Sequence, residues 1–191
     1  MKPDIQRELI PRDDTLDLID KLNAMKAKFF DNAQQWQLLD ESGHVPAKPS
    51  FAELFQHSAG AQDLSREVLR LTADFTASPH STNRAGRAVL AHLATASTMS
   101  AHAAAHFAET AESALGLPRS SSPTGQHYLK NRMVIDHATA RAYLRRTSES
   151  LRDAAKELGD HLDFHRFFPA PAPSHRESPV PPPPRPSGRH R

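Results

Sequence analysis

The sequence of 191 residues has no cysteine, only seven glycines and few aromatic residues. Without cysteine, the chain has no disulfide framework, no thiolate zinc site and no cysteine nucleophile. No apolar run approaches the roughly 18 residues that a membrane-spanning helix needs. The first residues, MKPDIQRE, carry charges instead of the apolar stretch of a secretory signal. We therefore expect a cytoplasmic protein.

Strand signals are also scarce, because alternating runs rich in Val, Ile and Thr are absent while Ala and Leu dominate. Apolar residues instead recur every three or four positions, which is typical of helices with one buried face. This spacing predicts long helices over residues 14–40, 82–116 and 123–165, and a shorter one over 63–77. The fold class we predict is all-α: an elongated antiparallel bundle of about four main helices, with coiled-coil-like packing.

Local signals place the helix ends. Ser50 and Glu53 form a capping box, which predicts a short helix through Gln56 that is interrupted near Gly60. Ser81 or Thr82 is the expected N-cap of the third helix. The fourth is expected to start with Ser122 as N-cap and Pro123 at the first helical position, with a kink expected at Gly159.

The predicted helix lengths are unequal. At a rise of 1.5 Å per residue, the third and fourth helices are each roughly 50 Å or longer, and the second is about 25 Å. A bundle with such a short second helix leaves part of the long pair uncovered. We therefore expect self-association, or association with another helical protein.

The composition changes after Phe168. Residues 169–191 hold nine of the sixteen prolines and no aromatic residue, so we expect a disordered tail with polyproline II character. Residues 1–168 form the predicted bundle domain. The tail also contains Arg176, Pro179 and Pro182 in an R-x-x-P-x-x-P arrangement, which is either a ligand for a protein partner or part of a solubilising tail.

The net charge of +2 belongs to this tail. Residues 169–191 carry four arginines and one glutamate, whereas residues 1–168 carry 20 basic and 21 acidic residues. The domain is therefore electrostatically balanced, which argues against a nucleic-acid-binding protein. Arg141 and Arg145 share one face of the fourth helix and could meet phosphates, but the acidic residues of that helix favour ordinary exposed pairing.

Histidines on the third helix are the candidate metal ligands. His102 and His106 are four residues apart, a spacing that lets two imidazoles reach one ion, and Glu109 lies on the same face. Asp136 or His137 of the fourth helix could complete a divalent metal site, with zinc as the expected ion. However, twelve histidines are spread over the chain, so this spacing also arises by chance, and histidines beside a core often pack without binding metal.

Other catalytic patterns are missing. The sequence has no G-x-G-x-x-G or G-x-x-x-x-G-K-[ST] loop, no glycine-framed serine elbow and no helix-turn-helix turn. The function we expect first is therefore a non-enzymatic helical interaction or scaffold module that self-associates. A metal-binding bundle or metal-dependent enzyme that uses His102, His106 and Glu109 is the alternative, and an accessory nucleic-acid binder is the third possibility.

Overall fold

Four α-helices account for most of the computed structural model, which describes residues 9–167, with side chains up to Asp163. They are α1 (Arg12–Gln35), α2 (Phe51–Ala77), α3 (Arg84–Gly116) and α4 (Pro123–Phe167). Short 3-10 turns at Pro79–Thr82 and Leu117–Arg119 follow α2 and α3, and no strand occurs within residues 9–167. The all-α prediction is confirmed. The proline-rich tail predicted over 169–191 lies outside the described residues.

Neighbouring helices run antiparallel. Between α1 and α4, the Ser148 hydroxyl donates to the Lys26 carbonyl (3.0 Å), and Arg141 Nε donates to the Ala33 carbonyl (2.8 Å). Residue numbers thus rise along one helix as they fall along the other. The same holds for two other pairs. Between α3 and α4, His92 is paired with Ser150 (2.8 Å) and His106 with Asp136 (3.4 Å); between α2 and α3, Ser65 is paired with Ser100 (3.2 Å) and Thr72 with Ser97 (3.2 Å).

The core of the bundle is built from the apolar stripes that the sequence predicts. One cluster contains large side chains from all four helices: Leu22, Phe29, Leu64, Val68, Phe75, Val89, Leu93, Phe107, Leu144, Leu151 and Leu158. Full burial of each such side chain stabilises the fold by about 1.5–3 kcal/mol. Alanines between them, such as Ala96 and Ala103, are fully buried and allow the helices to approach closely.

A smaller apolar cluster lies at one end of the bundle. Its buried members are Leu38, Leu54, Ala111, Ala114, Leu117 and Met133. They come from the segment after α1, the start of α2, the end of α3 with the turn that follows it, and the start of α4. We call this region the loop end of the bundle.

The second helix differs from the prediction. The break expected near Gly60 is wrong, since α2 is continuous from Phe51 to Ala77. Gly60 serves close packing: a Cβ atom there would lie 2.9 Å from Cζ2 of the Trp36 indole. With 27 residues, α2 is about 40 Å long. The short second helix from which an uncovered surface was expected is therefore not present, and the remaining difference in length is that of α4, which has 45 residues.

Helix ends follow the predicted signals in part. The Glu53 N–H donates to Ser50 Oγ (3.3 Å) and the Gly125 N–H to Ser122 Oγ (2.9 Å), so both predicted caps are confirmed. The cap predicted at Ser81 or Thr82 is wrong, because the side chain of Asn83 accepts the capping bond of α3.

The predicted end of α1 near Asp40 is also wrong. The helix stops at Gln35, where Trp36 takes an extended backbone conformation (φ −75°, ψ 109°). This turn allows the indole to pack between helices α2 and α3.

No helix in the described part of the chain is both long enough and apolar enough to cross a membrane.

Candidate functional site

Three side chains that can bind metal meet where α3 crosses α4. His106 and Glu109 lie one turn apart on α3, and Asp136 faces them from α4. His106 Nδ1 lies 3.1 Å from Glu109 Oε2 and 3.4 Å from Asp136 Oδ1. One ligand atom from each residue lies within 4.8 Å of the other two. The antiparallel pairing of α3 with α4 brings together residues that are 30 positions apart. We call His106, Glu109 and Asp136 the triad.

The carboxylate of Asp136 is the buried member of the triad. Its side chain is only 10% exposed, compared with 28% for His106 and 40% for Glu109. Arg132 lies one turn earlier on α4, with Nε 3.4 Å from Asp136 Oδ2, but this oxygen accepts no hydrogen bond from the described residues. The attraction of Asp136 raises the pKa of Arg132 above its ordinary value. Asp136 is therefore only partly compensated by its neighbours.

His102 is not a member of the triad. Its ring is exposed and stacks on Tyr143 of α4, with centroids 5.2 Å apart. The same tyrosine ring also stacks on His106 at 5.8 Å, with an interplanar angle of 11°. The spacing of four residues thus places both imidazoles against one aromatic ring, where Tyr143 fixes the plane of the His106 imidazole.

His137 follows Asp136 in sequence but packs in a separate place. It is 3% exposed, and its ring contacts Phe107 edge-on at 5.2 Å and His57 at 5.8 Å. Its Nε2 has no hydrogen-bond partner among the described residues. Burial, followed by the charges of His57 and Arg141, lowers the pKa of His137 to about 4. His137 is therefore a neutral histidine inside the bundle, away from the triad.

His57 completes this second cluster. Its ring stacks on Trp36 with centroids 5.2 Å apart and an interplanar angle of 19°, and its Nδ1 is buried without a hydrogen bond. Burial lowers the pKa of His57, and the charge of Glu53 opposes that shift. The sequence alone did not point to this cluster. The signal it offered was the position of His57 between Leu54 and Ala61 on the apolar stripe of α2.

Arg141 does not share an open basic face with Arg145. Its Nε donates to the Ala33 carbonyl (2.8 Å), and Nη1 donates to Gln37 Oε1 (3.0 Å), so the guanidinium caps the C-terminal end of α1. Burial, followed by the charge of Arg145, lowers its pKa. The groove between α1 and α4, of about 430 Å³, has basic residues opposed by acidic ones: Lys26, Arg145 and Arg152 with Asp31 and Glu149.

Exposed large apolar side chains concentrate at the loop end. Nine are exposed in the described part of the chain. Six of them belong to the segments that form the smaller cluster: Leu39, Phe51, Phe55, Leu115, Tyr128 and Ile135. Phe51 and Phe55 are one turn apart on α2, while Tyr128 and Ile135 are two turns apart on α4. Phe51 also lines a groove of about 400 Å³ together with Leu117 and Pro118.

No protein-family model, curated protein or solved structure matches this chain.

Proposed function

We propose that the chain is a non-enzymatic helical interaction module that self-associates through its loop end. The observation that carries the proposal is the concentration there of six of the nine exposed large apolar side chains. Several exposed apolar side chains at one end of a soluble protein favour an interaction site there, and aromatic residues are enriched at the centres of interfaces. Phe51, Phe55 and Tyr128 supply such residues.

The charges of the domain are compatible with association between identical copies. With 20 basic and 21 acidic residues in positions 1–168, two copies do not repel each other through net charge. Basic residues, Lys48 and Lys130, line the groove beside Phe51, and their stems can cover apolar surface while the ammonium groups stay in water. The proposal includes a cytoplasmic location, because a chain without cysteine forgoes the disulfides that stabilise many secreted domains.

A matched pair of double variants tests the proposal. Phe55→Glu/Ile135→Glu places charges at the loop end, at side chains that are 50% and 64% exposed. Phe30→Glu/Leu69→Glu places the same charges elsewhere, at side chains that are 50% and 52% exposed. Sedimentation and light scattering of the full chain across micromolar concentrations report the oligomeric state.

We expect the loop-end variant to weaken association at least a hundredfold and the control to leave it unchanged, since two buried apolar side chains each contribute about 1.5–3 kcal/mol. A parent chain that stays monomeric throughout would refute self-association. Dissociation by the control alone would refute the loop end as the interface.

A further inference from the structure

We propose that the triad of His106, Glu109 and Asp136 is an open divalent metal site of the zinc type. Ligand bonds to zinc are about 2.0–2.2 Å long, so the ligand atoms of a tetrahedral site lie roughly 3.3–3.6 Å apart. The distances from His106 Nδ1 to the two carboxylates, 3.1 and 3.4 Å, are close to this range. The separation of the carboxylate oxygens is at most 4.8 Å and can close, because the Glu109 side chain is 40% exposed.

The convergence on a single ring nitrogen favours a metal over hydrogen bonding. His106 Nδ1 carries at most one proton, and it makes one hydrogen bond, to Glu109. That one N–H can at most be shared between the two carboxylates, and Asp136 Oδ1, 3.4 Å away, is the more distant acceptor. A metal ion at the centre would instead bind all three atoms at once.

The second observation is the incomplete compensation of Asp136. This residue is 7% exposed, and its Oδ2 accepts no hydrogen bond from the described residues. A buried carboxylate without full pairing is costly. Arg132 supplies a charge at 3.4 Å, but its side chain is 48% exposed and can swing into solvent when a cation occupies the site.

The donor set determines the class of ion. One imidazole and two carboxylates suit zinc and similar transition metals, whereas magnesium and calcium prefer six or more oxygen ligands. Three protein ligands leave a fourth position for water, and the partial exposure of His106 and Glu109 opens that position to solvent. Tyr143, stacked on His106, holds the imidazole plane in place.

Titration of the full, untagged chain with Zn²⁺ against a chromophoric chelator tests the site, with Co²⁺ absorption as a readout of coordination geometry. The ligand variants are His106→Gln, Glu109→Gln and Asp136→Asn. Glu109 is 40% exposed, so Glu109→Gln keeps the test valid if Asp136→Asn fails to fold. The controls are His102→Gln and His127→Gln. The parent His102 ring stacks on Tyr143 outside the triad, and His127 lies at an exposed position.

We expect one Zn²⁺ per chain above the background of the other histidines, and a loss of more than about a hundredfold in affinity for each ligand variant. Loss of merely supporting partners around metal sites already costs 10–100-fold. His102→Gln and His127→Gln should bind as the parent does, and Arg132→Gln should bind more tightly because a competing cation is removed. Absence of saturable binding by the parent chain, or equal losses in His102→Gln and His106→Gln, would overturn the proposal.

Discussion

The indole of Trp36 lies directly against Gly60, so that a Cβ atom at position 60 would come within 2.9 Å of Trp36 Cζ2. This contact joins the segment after α1 to the middle of α2. It also brings the indole onto His57 and Phe107. The absence of a side chain at Gly60 thus allows Trp36 to pack against His57 and Phe107.

Replacement of Gly60 by alanine should therefore destabilise the protein. In an exposed helix, Gly→Ala stabilises by about 0.5–1 kcal/mol, but overpacking a fitted contact costs about 1–3 kcal/mol. We expect a net loss in the free energy of unfolding, measured by urea denaturation.

Gly159→Ala is the matched control for this variant. Gly159 also lies within a helix, α4, but a Cβ atom added there would meet nothing within 4 Å. Alanine there should stabilise the protein by about 0.5–1 kcal/mol. Equal stabilisation by both alanines would contradict the role assigned to the Trp36 contact.

The protein should lose stability as the pH falls from about 6.5 to about 4. In the folded state the pKa of His137 is lowered to about 4, from an ordinary value near 6.5. Below pH 6.5 the unfolded chain binds a proton that folded His137 excludes, so the stabilisation is complete above pH 6.5 and lost towards pH 4. Linkage gives a loss of about 3 kcal/mol, and the lowered pKa of His57 acts in the same direction.

Free energies of unfolding at pH 7.5, 5.0 and 4.0, in buffer with a metal chelator, measure this dependence, and about 2 of the 3 kcal/mol should be lost by pH 5.0. Arg141 and His57 lie near His137, and Glu53 lies near His57, so the charges of these groups also affect the dependence of stability on pH. His137→Leu should flatten it, whereas His127→Gln should not. A His137→Leu profile as steep as that of the parent would rule out His137 as the titrating group.

Arg141→Ala should destabilise the junction between α1 and α4. The substitution removes two hydrogen bonds, to the Ala33 carbonyl and to Gln37 Oε1. Hydrogen bonds from charged groups contribute about 1.5–3 kcal/mol. Arg145→Ala, one turn away at an exposed position, should change the free energy of unfolding by less than about 0.5 kcal/mol. Equal changes in the free energy of unfolding for the two substitutions would show that the hydrogen bonds of Arg141 to the end of α1 do not stabilise the fold.

Leu144→Ala and Ile135→Ala should differ strongly in the monomeric protein. Leu144 is fully buried in the main cluster, so its truncation should cost about 2–5 kcal/mol. Ile135 is 64% exposed, and its truncation should stay within about 0.5 kcal/mol. Thermal unfolding at low protein concentration measures both changes in stability. A large loss of stability in Ile135→Ala would contradict the prediction that Ile135 is unpacked in the monomer.

Helix type and the buried stripes could be predicted from the sequence because they depend on local periodicity. Leu22 and Phe29 on α1, and Leu144 and Leu151 on α4, follow the spacing of a helix face and are fully buried. The caps at Ser50 and Ser122 could be predicted for the same reason, because each bond joins residues three positions apart. Gly60 could not be interpreted in this way, since its role depends on Trp36, which is 24 positions earlier.

The candidate site was predicted only in part. Spacing on one helix correctly placed His106 and Glu109 on the same face, but it treated His102 as equivalent to His106 and left open the choice between Asp136 and His137. These adjacent residues point to different clusters, and the rotation of α4 against α3 decides which of them meets His106.

The sequence by itself determined an all-α chain with four amphipathic helices, because helix formation and facial burial depend on residues three or four positions apart. Only the tertiary structure decided that α2 runs unbroken past Gly60, that Arg141 caps α1, and that Asp136 faces His106 while His137 packs against Phe107. Each of these depends on how one helix is rotated and shifted against another. That arrangement follows from the packing of the whole core, which no local pattern of residues specifies.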